Sequence, residues 1–210
     1  MNNNNITKIV LTGGSCAGKT ECLNPLKEHF SQRGYSVYIV NEMATELILG
    51  GINPGKIGGK LFQDITVKMQ LELENAYTRA AKKAPNEKSL IILDRAPIDA
   101  MAYIPLEEIK EIFKKYGTSY EQLLKQYDSV FCLETIAKKF PELYCMNNKA
   151  RQEDLENAIS LDDRIRKFWC SHSNFNLIEA TEEIHEKFQR IINGIEKVLE
   201  LKEVQHEDER

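Results

Sequence analysis

The chain has 210 residues and 42% hydrophobic content, enough for one domain with a sizeable core, and that excludes a disordered chain or a disulfide-stapled miniprotein. Its 28 Lys+Arg against 32 Asp+Glu give a formal charge of −4. Residues 179–210 hold ten acids and five bases, so the other 178 residues sum to +1, and a near-neutral body gives no electrostatic reason to expect nucleic-acid binding.

In chain order, Ile6 to Thr12 is a short apolar run ending at glycines, which predicts a strand. A helix is expected from Lys19 to Gln32, closed by Gly34, followed by a second strand from Tyr35 to Val40. Met43 to Leu49 reads as a short helix, and the Gly- and Pro-rich residues 50–59 as a loop over an acceptor site or a plain connection. Phe62, Ile65, Met69, Leu73, Ala76, Tyr77 and Ala80 recur at helical spacing and define the expected buried face of a long amphipathic helix. Ser89 to Leu93 is a buried strand ending at Asp94. Helical pieces are expected over 97–126, a fourth strand over Asp128 to Leu133, and a polar stretch over 135–150. Leu155, Ile159 and Trp169 mark a further helix, Asn176 to Ile178 a fifth strand, and Ile184 to Leu199 a last amphipathic helix.

Strands alternating with helices imply an α/β fold, a three-layer α/β/α arrangement around a mostly parallel five-stranded sheet, with ligands at the carboxyl ends of the strands. The expected organisation is a disordered segment over 1–5, one nucleotide-binding domain over 6–200, and a disordered acidic tail over 201–210. MNNNN lacks the basic and apolar regions of a secretory signal, and no run of 18 apolar residues predicts a membrane span. Cys16, Cys22, Cys132, Cys145 and Cys170 contain no CxxC pair and read as reduced thiols, so a cytoplasmic location is expected. The four histidines show no metal-ligand spacing.

Residues 13–20, GGSCAGKT, fit G-x-x-x-x-G-K-[ST] between a strand and a helix. Gly13, Gly14, Ser15, Cys16, Ala17 and Gly18 would let backbone N–H groups curl around phosphate oxygens at a helix N-terminus. Lys19 would reach the β- and γ-phosphates, and the Thr20 hydroxyl would ligate Mg²⁺. Asp94, at the end of a strand, would hold Mg²⁺ or accept a proton; its bland role is a helix N-cap before Pro97. Arg95 would clamp phosphate or acceptor oxygens. Glu42, after the second strand, would act as base or orienter for an acceptor hydroxyl, or else only favour the helix dipole. Asp99 would face the same cleft or solvent. Among Lys149, Arg151, Arg164 and Arg166, Arg151 is the candidate for a lid over the triphosphate. The alternative for each of these arginines is an i,i+4 surface pair such as Asp162 with Arg166.

Taken together, VLTGGSCAGKT, NEMATELI, IILDRAPIDAMAY, YDSVFCLE and NNKARQEDLENAISLDDRIRKFW resemble a family of small P-loop proteins labelled AAA-domain or ATP-binding. These are similar to the ribosylnicotinamide kinase domain and, more distantly, to deoxynucleoside and nucleoside-monophosphate kinases. The resemblance runs from about Lys8 to Val198. It implies a kinase-like fold using ATP or GTP with Mg²⁺, Asp94-Arg95 as the acid–arginine pair, Glu42 facing the acceptor hydroxyl, and Arg151 in the lid region. Asp-Arg-Ala stands where nucleoside kinases often carry Glu-Arg-Ser. No arginine finger or helical lid domain of an AAA motor is evident.

The leading expectation is therefore an ATP- and Mg²⁺-dependent phosphotransferase, with a nucleoside triphosphate and a small hydroxyl acceptor as its partners. The alternative is a regulatory NTP-hydrolysing switch acting through partner proteins. No guanine-reading NKxD motif is present.

Overall fold

In a computed structural model, residues 5–83, 88–147 and 155–208 are described. Strands β1 (Asn5–Gly13), β2 (Ser36–Val40), β3 (Lys88–Asp94), β4 (Ser129–Leu133) and β5 (Phe175–Ile178) form one sheet in the order β2-β3-β1-β4-β5. Every pairing is parallel, as the buried, continuously apolar runs of β3 and β4 require. The helices are α1 (Lys19–Gln32), α2 (Met43–Leu49), α3 (Pro54–Ile57), α4 (Gly59–Ala81), α5 (Leu106–Lys115), α6 (Tyr120–Leu124), α7 (Pro141–Asn147), α8 (Leu155–Trp169) and α9 (Ile184–Asp208). A 3-10 turn spans Pro97–Ala102 and another Ile136–Lys138.

Strand alternation divides the core between the two faces. Ile9, Leu11, Leu90, Ile92, Phe131 and Leu133 pack with α1 and α9. Val10, Ile91, Leu93 and Val130 pack with the helices between β2 and β4 and with α8. The central strand β1 stands between β3 and β4, with Leu11 opposite Asp94 and Gly13 opposite Leu133. The phosphate-loop sequence therefore emerges from the middle of the sheet beside the strand-terminal acid.

Three expectations are corrected. The 50–59 loop contains the helical turn α3, started by Pro54 and capped by the Asn53 side chain, which accepts the Gly55 N–H at 2.8 Å. Helix α9 continues through Asp208 instead of giving way to a disordered tail at 201. The reason is anchoring at the amino edge of the sheet: Lys202 Nζ donates to Ile6 O (2.9 Å) and Asp128 Oδ1 (2.8 Å). Beside it, Glu203 Oε1 accepts from Tyr35 Oη (2.9 Å) and Lys88 Nζ (2.6 Å). The third concerns α4. Its buried residues are Phe62, Gln63, Val67, Gln70, Glu74 and Ala81, while Met69 is 39% exposed, so the inner face is not the apolar stripe of the sequence. Asn5 belongs to β1; residues 1–4, 209 and 210 lie outside the described residues.

Among the described residues no helix is long and apolar enough to cross a membrane.

Candidate active site

The phosphate loop leaves β1 with Gly13 at φ 128° and enters α1 through Gly18 at φ 87°. Both conformations disfavour a side chain, and a Cβ on Gly13 would drive into the Leu133 carbonyl of the neighbouring strand. Cys16 also adopts a left-handed conformation, φ 52°. Contacts from Asp162, Thr135 and Lys187, and from Lys19 within it, hold the loop. Gly14 N–H donates to Asp162 Oδ1 at 2.7 Å, and Thr135 Oγ1 donates to Ser15 O at 2.6 Å. Lys187 Nζ donates to Ala17 O (3.0 Å) and Glu134 O (2.9 Å), and Lys19 Nζ to Gly13 O (3.1 Å) and Gly14 O (2.7 Å). Burial, with Arg95 nearby, lowers the Lys19 pKa from its ordinary value against the pull of Asp94, Glu42 and Asp99.

Asp94 is 3% exposed and stands behind Thr20, whose Oγ1 donates to Asp94 Oδ2 at 3.2 Å. Its Oδ1 is buried with no partner. A buried orphan carboxylate oxygen beside a hydroxyl is a donor set for a hard cation that also keeps phosphate and water ligands. Thr20 and Asp94 thus fit Mg²⁺. Burial pushes the Asp94 carboxyl up from its usual range, against Lys19, and neighbouring Glu42 adds to the rise. No cluster of three His, Cys, Asp or Glu that could hold a metal occurs among the described residues.

Arg95 follows in the left-handed region at φ 68°, a conformation that costs a non-glycine residue about 1 kcal/mol or more. The turn is held from both sides. Arg95 N–H donates to Leu11 O at 2.9 Å, and Gln70 Nε2 donates to Arg95 O at 3.3 Å. The turn aims the guanidinium at two carboxylates. Nε lies 2.6 Å from Glu42 Oε1, an ion pair out of hydrogen-bond alignment, and Nη1 lies 3.4 Å from Asp99 Oδ1. Burial works to raise the Glu42 carboxyl, but Arg95, Lys19 and the Thr45 hydroxyl (2.8 Å to Oε2) outweigh it and hold it below its ordinary value. Asp99 is buried, which corrects the expectation of a solvated position: Oδ2 accepts Ala96 N–H at 2.9 Å and Oδ1 accepts the Thr12 hydroxyl.

Lys19, Thr20, Glu42, Arg95 and Asp99 line one cavity of about 1230 Å³, and Asp94 stands behind Thr20, outside that lining. Ser15 to Glu21 form part of its wall. The lining also includes Ile136, Leu143, Thr181, Ile184 and Lys187, and Glu42, Arg95, Asp99 and the inner stripe of α4. The volume exceeds the roughly 300–1,000 Å³ of a pocket for one small ligand. Arg151 and Lys149 lie outside the described residues, and Arg164 is on an exposed face of α8, away from this cavity.

Sequence reasoning missed Asp162, Lys187, Gln63 and Gln70. Asp162 is 1% exposed and does not pair with Arg166; Lys138 Nζ meets its Oδ2 at 2.6 Å. Lys187, also 1% exposed, is shifted down to about 8 by burial. Their contacts to the phosphate loop, Asp162 with Gly14 and Lys187 with Ala17, span more than a hundred residues and leave no local pattern. The signal available for Gln63, Gln70 and Glu74 was their shared face, since 63, 67, 70 and 74 fall in one stripe of a helix.

The sequence matches the family described as AAA domain over residues 8–187. The chain belongs to this family of P-loop nucleotide-binding proteins. No curated protein matches the sequence. Among solved structures, the chain is similar to thymidylate kinase from Ehrlichia chaffeensis, with a TM-score of 0.63 and 16% identity, covering 91% of this chain and 99% of that one. The α/β kinase-like fold is therefore shared.

Proposed function

We propose that the protein is an ATP- and Mg²⁺-dependent phosphotransferase acting on a small hydroxyl acceptor, nucleoside-like in character. The observation that carries this reading is the extent of the cavity. The space of about 1230 Å³ is lined by the phosphate loop and also by Glu42, Arg95 and the inner face of α4, beyond what a triphosphate alone contacts. A hydrolytic switch needs no such further lining.

Residue roles follow from position. The loop amides and Lys19 bind the triphosphate, with Lys19 exchanging the Gly13 and Gly14 carbonyls for β- and γ-phosphate oxygens. Mg²⁺ held by Thr20 and Asp94 supplies charge neutralisation at those oxygens when bound. Arg95 stabilises charge on the moving phosphoryl group, and its orientation is set by Glu42 and Asp99. Glu42, ionised, accepts the acceptor's hydroxyl hydrogen bond and orients its oxygen in line. As the acceptor oxygen bonds to the γ-phosphorus, the bond from phosphorus to the bridging oxygen of ADP breaks. The hydroxyl proton leaves late to a carboxylate or solvent.

The test is ADP release measured with a panel of nucleosides, nucleotides and vitamin-precursor ribosides. Stimulation by an acceptor, lost in Lys19→Ala with folding intact, supports the reading. ATP turnover indifferent to every acceptor opposes it.

A further inference from the structure

Glu74 is a buried carboxyl that the chemistry of transfer does not use. Its side chain is 3% exposed. Gln70, one turn earlier on α4, lines the active-site cavity, whereas Glu74 lines a second cavity of about 620 Å³ whose lining shares no residue with the first. The two side chains connect the cavities. Gln70 Nε2 lies 3.3 Å from Glu74 Oε1 and 3.3 Å from Arg95 O, so one amino group donates a hydrogen to each. Glu74 Oε2 also accepts the Tyr127 hydroxyl at 3.2 Å. A chain of hydrogen bonds thus runs from Tyr127 through Glu74 and Gln70 to the carbonyl of Arg95. That residue holds a strained left-handed turn, and its guanidinium meets Glu42 and Asp99.

The protonation state of Glu74 decides how firmly this chain is ordered. An ionised carboxylate only accepts hydrogen bonds. Facing it, the Gln70 carboxamide must present its NH₂ end, and the second hydrogen then reaches Arg95 O. A protonated carboxyl also donates, so either end of the amide satisfies it. With the amide turned over, its oxygen would face the Arg95 carbonyl, acceptor against acceptor, and the clamp on the turn is lost.

The surroundings hold Glu74 near the balance between the two forms. Burial raises its carboxyl to about 7, against Lys8 of β1 and the hydrogen bonds from Gln70 and Tyr127. Burial lowers the Lys8 ammonium in turn, against Glu74 and Asp128 and together with Lys82. Burial, then Glu74 and Asp99, raise the Tyr127 hydroxyl, which keeps it a donor. The charged groups of the second cavity are already paired, Lys68 with Glu72 and Lys115 with Asp64, both at 2.6 Å.

We propose that Glu74 is a positioning residue for Arg95: its ionised carboxylate fixes which end of the Gln70 amide faces the Arg95 carbonyl, so phosphoryl transfer is fast only while Glu74 is ionised. This rests on the phosphotransferase reading and adds a regulation of that site by pH. Glu74 touches neither nucleotide nor acceptor and acts through Gln70 alone.

The experiment measures two quantities on the full chain between pH 6 and pH 8. One is kcat for ADP release with nucleosides and ribosides at saturating ATP and Mg²⁺, in wild type, Glu74→Gln and Tyr127→Phe. The other is the side-chain amide resonance of Gln70 by NMR, assigned by its loss in Gln70→Leu. Melting curves confirm folding. In wild type kcat rises with pH by about tenfold, the worth of one hydrogen bond, while KM for ATP changes less than about twofold. Glu74→Gln gives a flat profile at the low level. Tyr127→Phe moves the midpoint to higher pH, because the carboxylate loses a donor. The Gln70 resonance shifts with the same midpoint as kcat. The titration of ATP itself is common to all variants and cancels in the comparison. A rise of kcat in Glu74→Gln equal to that of wild type overturns the role of Glu74 and leaves a kinase. A Gln70 resonance that follows Glu74, with no acceptor phosphorylated at any pH, keeps the clamp and overturns the phosphotransferase reading. A Gln70 resonance and a turnover both indifferent to pH overturn the proposal.

Discussion

Asp162→Ala removes a carboxylate that no element of the phosphate loop supplies for itself. Asp162 Oδ1 accepts Gly14 N–H at 2.7 Å and Thr135 N–H at 3.3 Å, and Oδ2 holds Lys138 Nζ at 2.6 Å, all on a side chain 1% exposed. The substitution orphans two buried backbone donors, and a buried donor left unpaired costs about 1–3 kcal/mol. Lys138 keeps Asp163 Oδ1 at 2.7 Å and a partly exposed position, so its share is small. The expected loss of stability is about 3 kcal/mol, with the weaker 3.3 Å bond contributing less than the 2.7 Å one. Asp162→Asn retains an acceptor oxygen for Gly14 and loses only the charge, so about 1 kcal/mol is expected. Urea unfolding followed by fluorescence of the single tryptophan, Trp169, fully buried in the core against α8's neighbours, measures both values. Because Gly14 fixes the start of the loop, ATP affinity falls in the alanine variant and largely recovers in the asparagine variant. Equal stability and equal ATP affinity in wild type and Asp162→Ala would refute the idea that α8 holds the loop in shape.

Asp94→Asn and Glu42→Gln separate the two acids: raised Mg²⁺ concentration partly rescues the first in an ADP-release assay, while the second slows transfer about a hundredfold and spares ATP binding. Cys16 lines the cavity, so saturating ATP·Mg²⁺ slows its alkylation, followed by mass spectrometry, at least tenfold relative to buried Cys22 and Cys132. Glu74 gives a pH signature: burial raises its carboxyl to about 7, so the native state keeps a proton that the unfolded chain releases near the ordinary carboxyl value. The native state then binds more protons between about pH 4.5 and 7, and stability falls across that window, by about 3 kcal/mol, and is flat above it. Glu74→Gln abolishes that fall in urea titrations repeated at pH 5 and pH 8.

The phosphate loop was legible because its chemistry restricts residue types at fixed spacing: glycines at the positive φ of residues 13 and 18, then Lys19 and Thr20. Asp94 and Glu42 were legible because acids at strand ends in a parallel sheet sit where ligands sit. Asp99 was legible only as an alternative, since its burial depends on Thr12 and Arg95 meeting it across β1 and β3. Asp162 and Lys187 were not legible. Each is a polar residue within an amphipathic helix, and its partner lies 148 or 170 residues away in sequence. The inner face of α4 misled for a related reason: a stripe that lines a site is polar, so apolar periodicity points at Met69 and Ile65 instead of Gln63 and Gln70. The end of α9 was misread because acidic composition suggests a solvated tail, whereas Lys202 and Glu203 are pinned to Ile6, Asp128, Tyr35 and Lys88.

The central claim is transfer to an organic hydroxyl, and the fate of the γ-phosphoryl group tests it most directly. The protein is incubated with γ-labelled ATP, Mg²⁺ and nucleoside or riboside acceptors, and the labelled products are separated and identified by mass. The account predicts label on an acceptor hydroxyl, at a rate that Lys19→Ala lowers at least a thousandfold. Label found solely in inorganic phosphate, at a rate no acceptor changes, would contradict it.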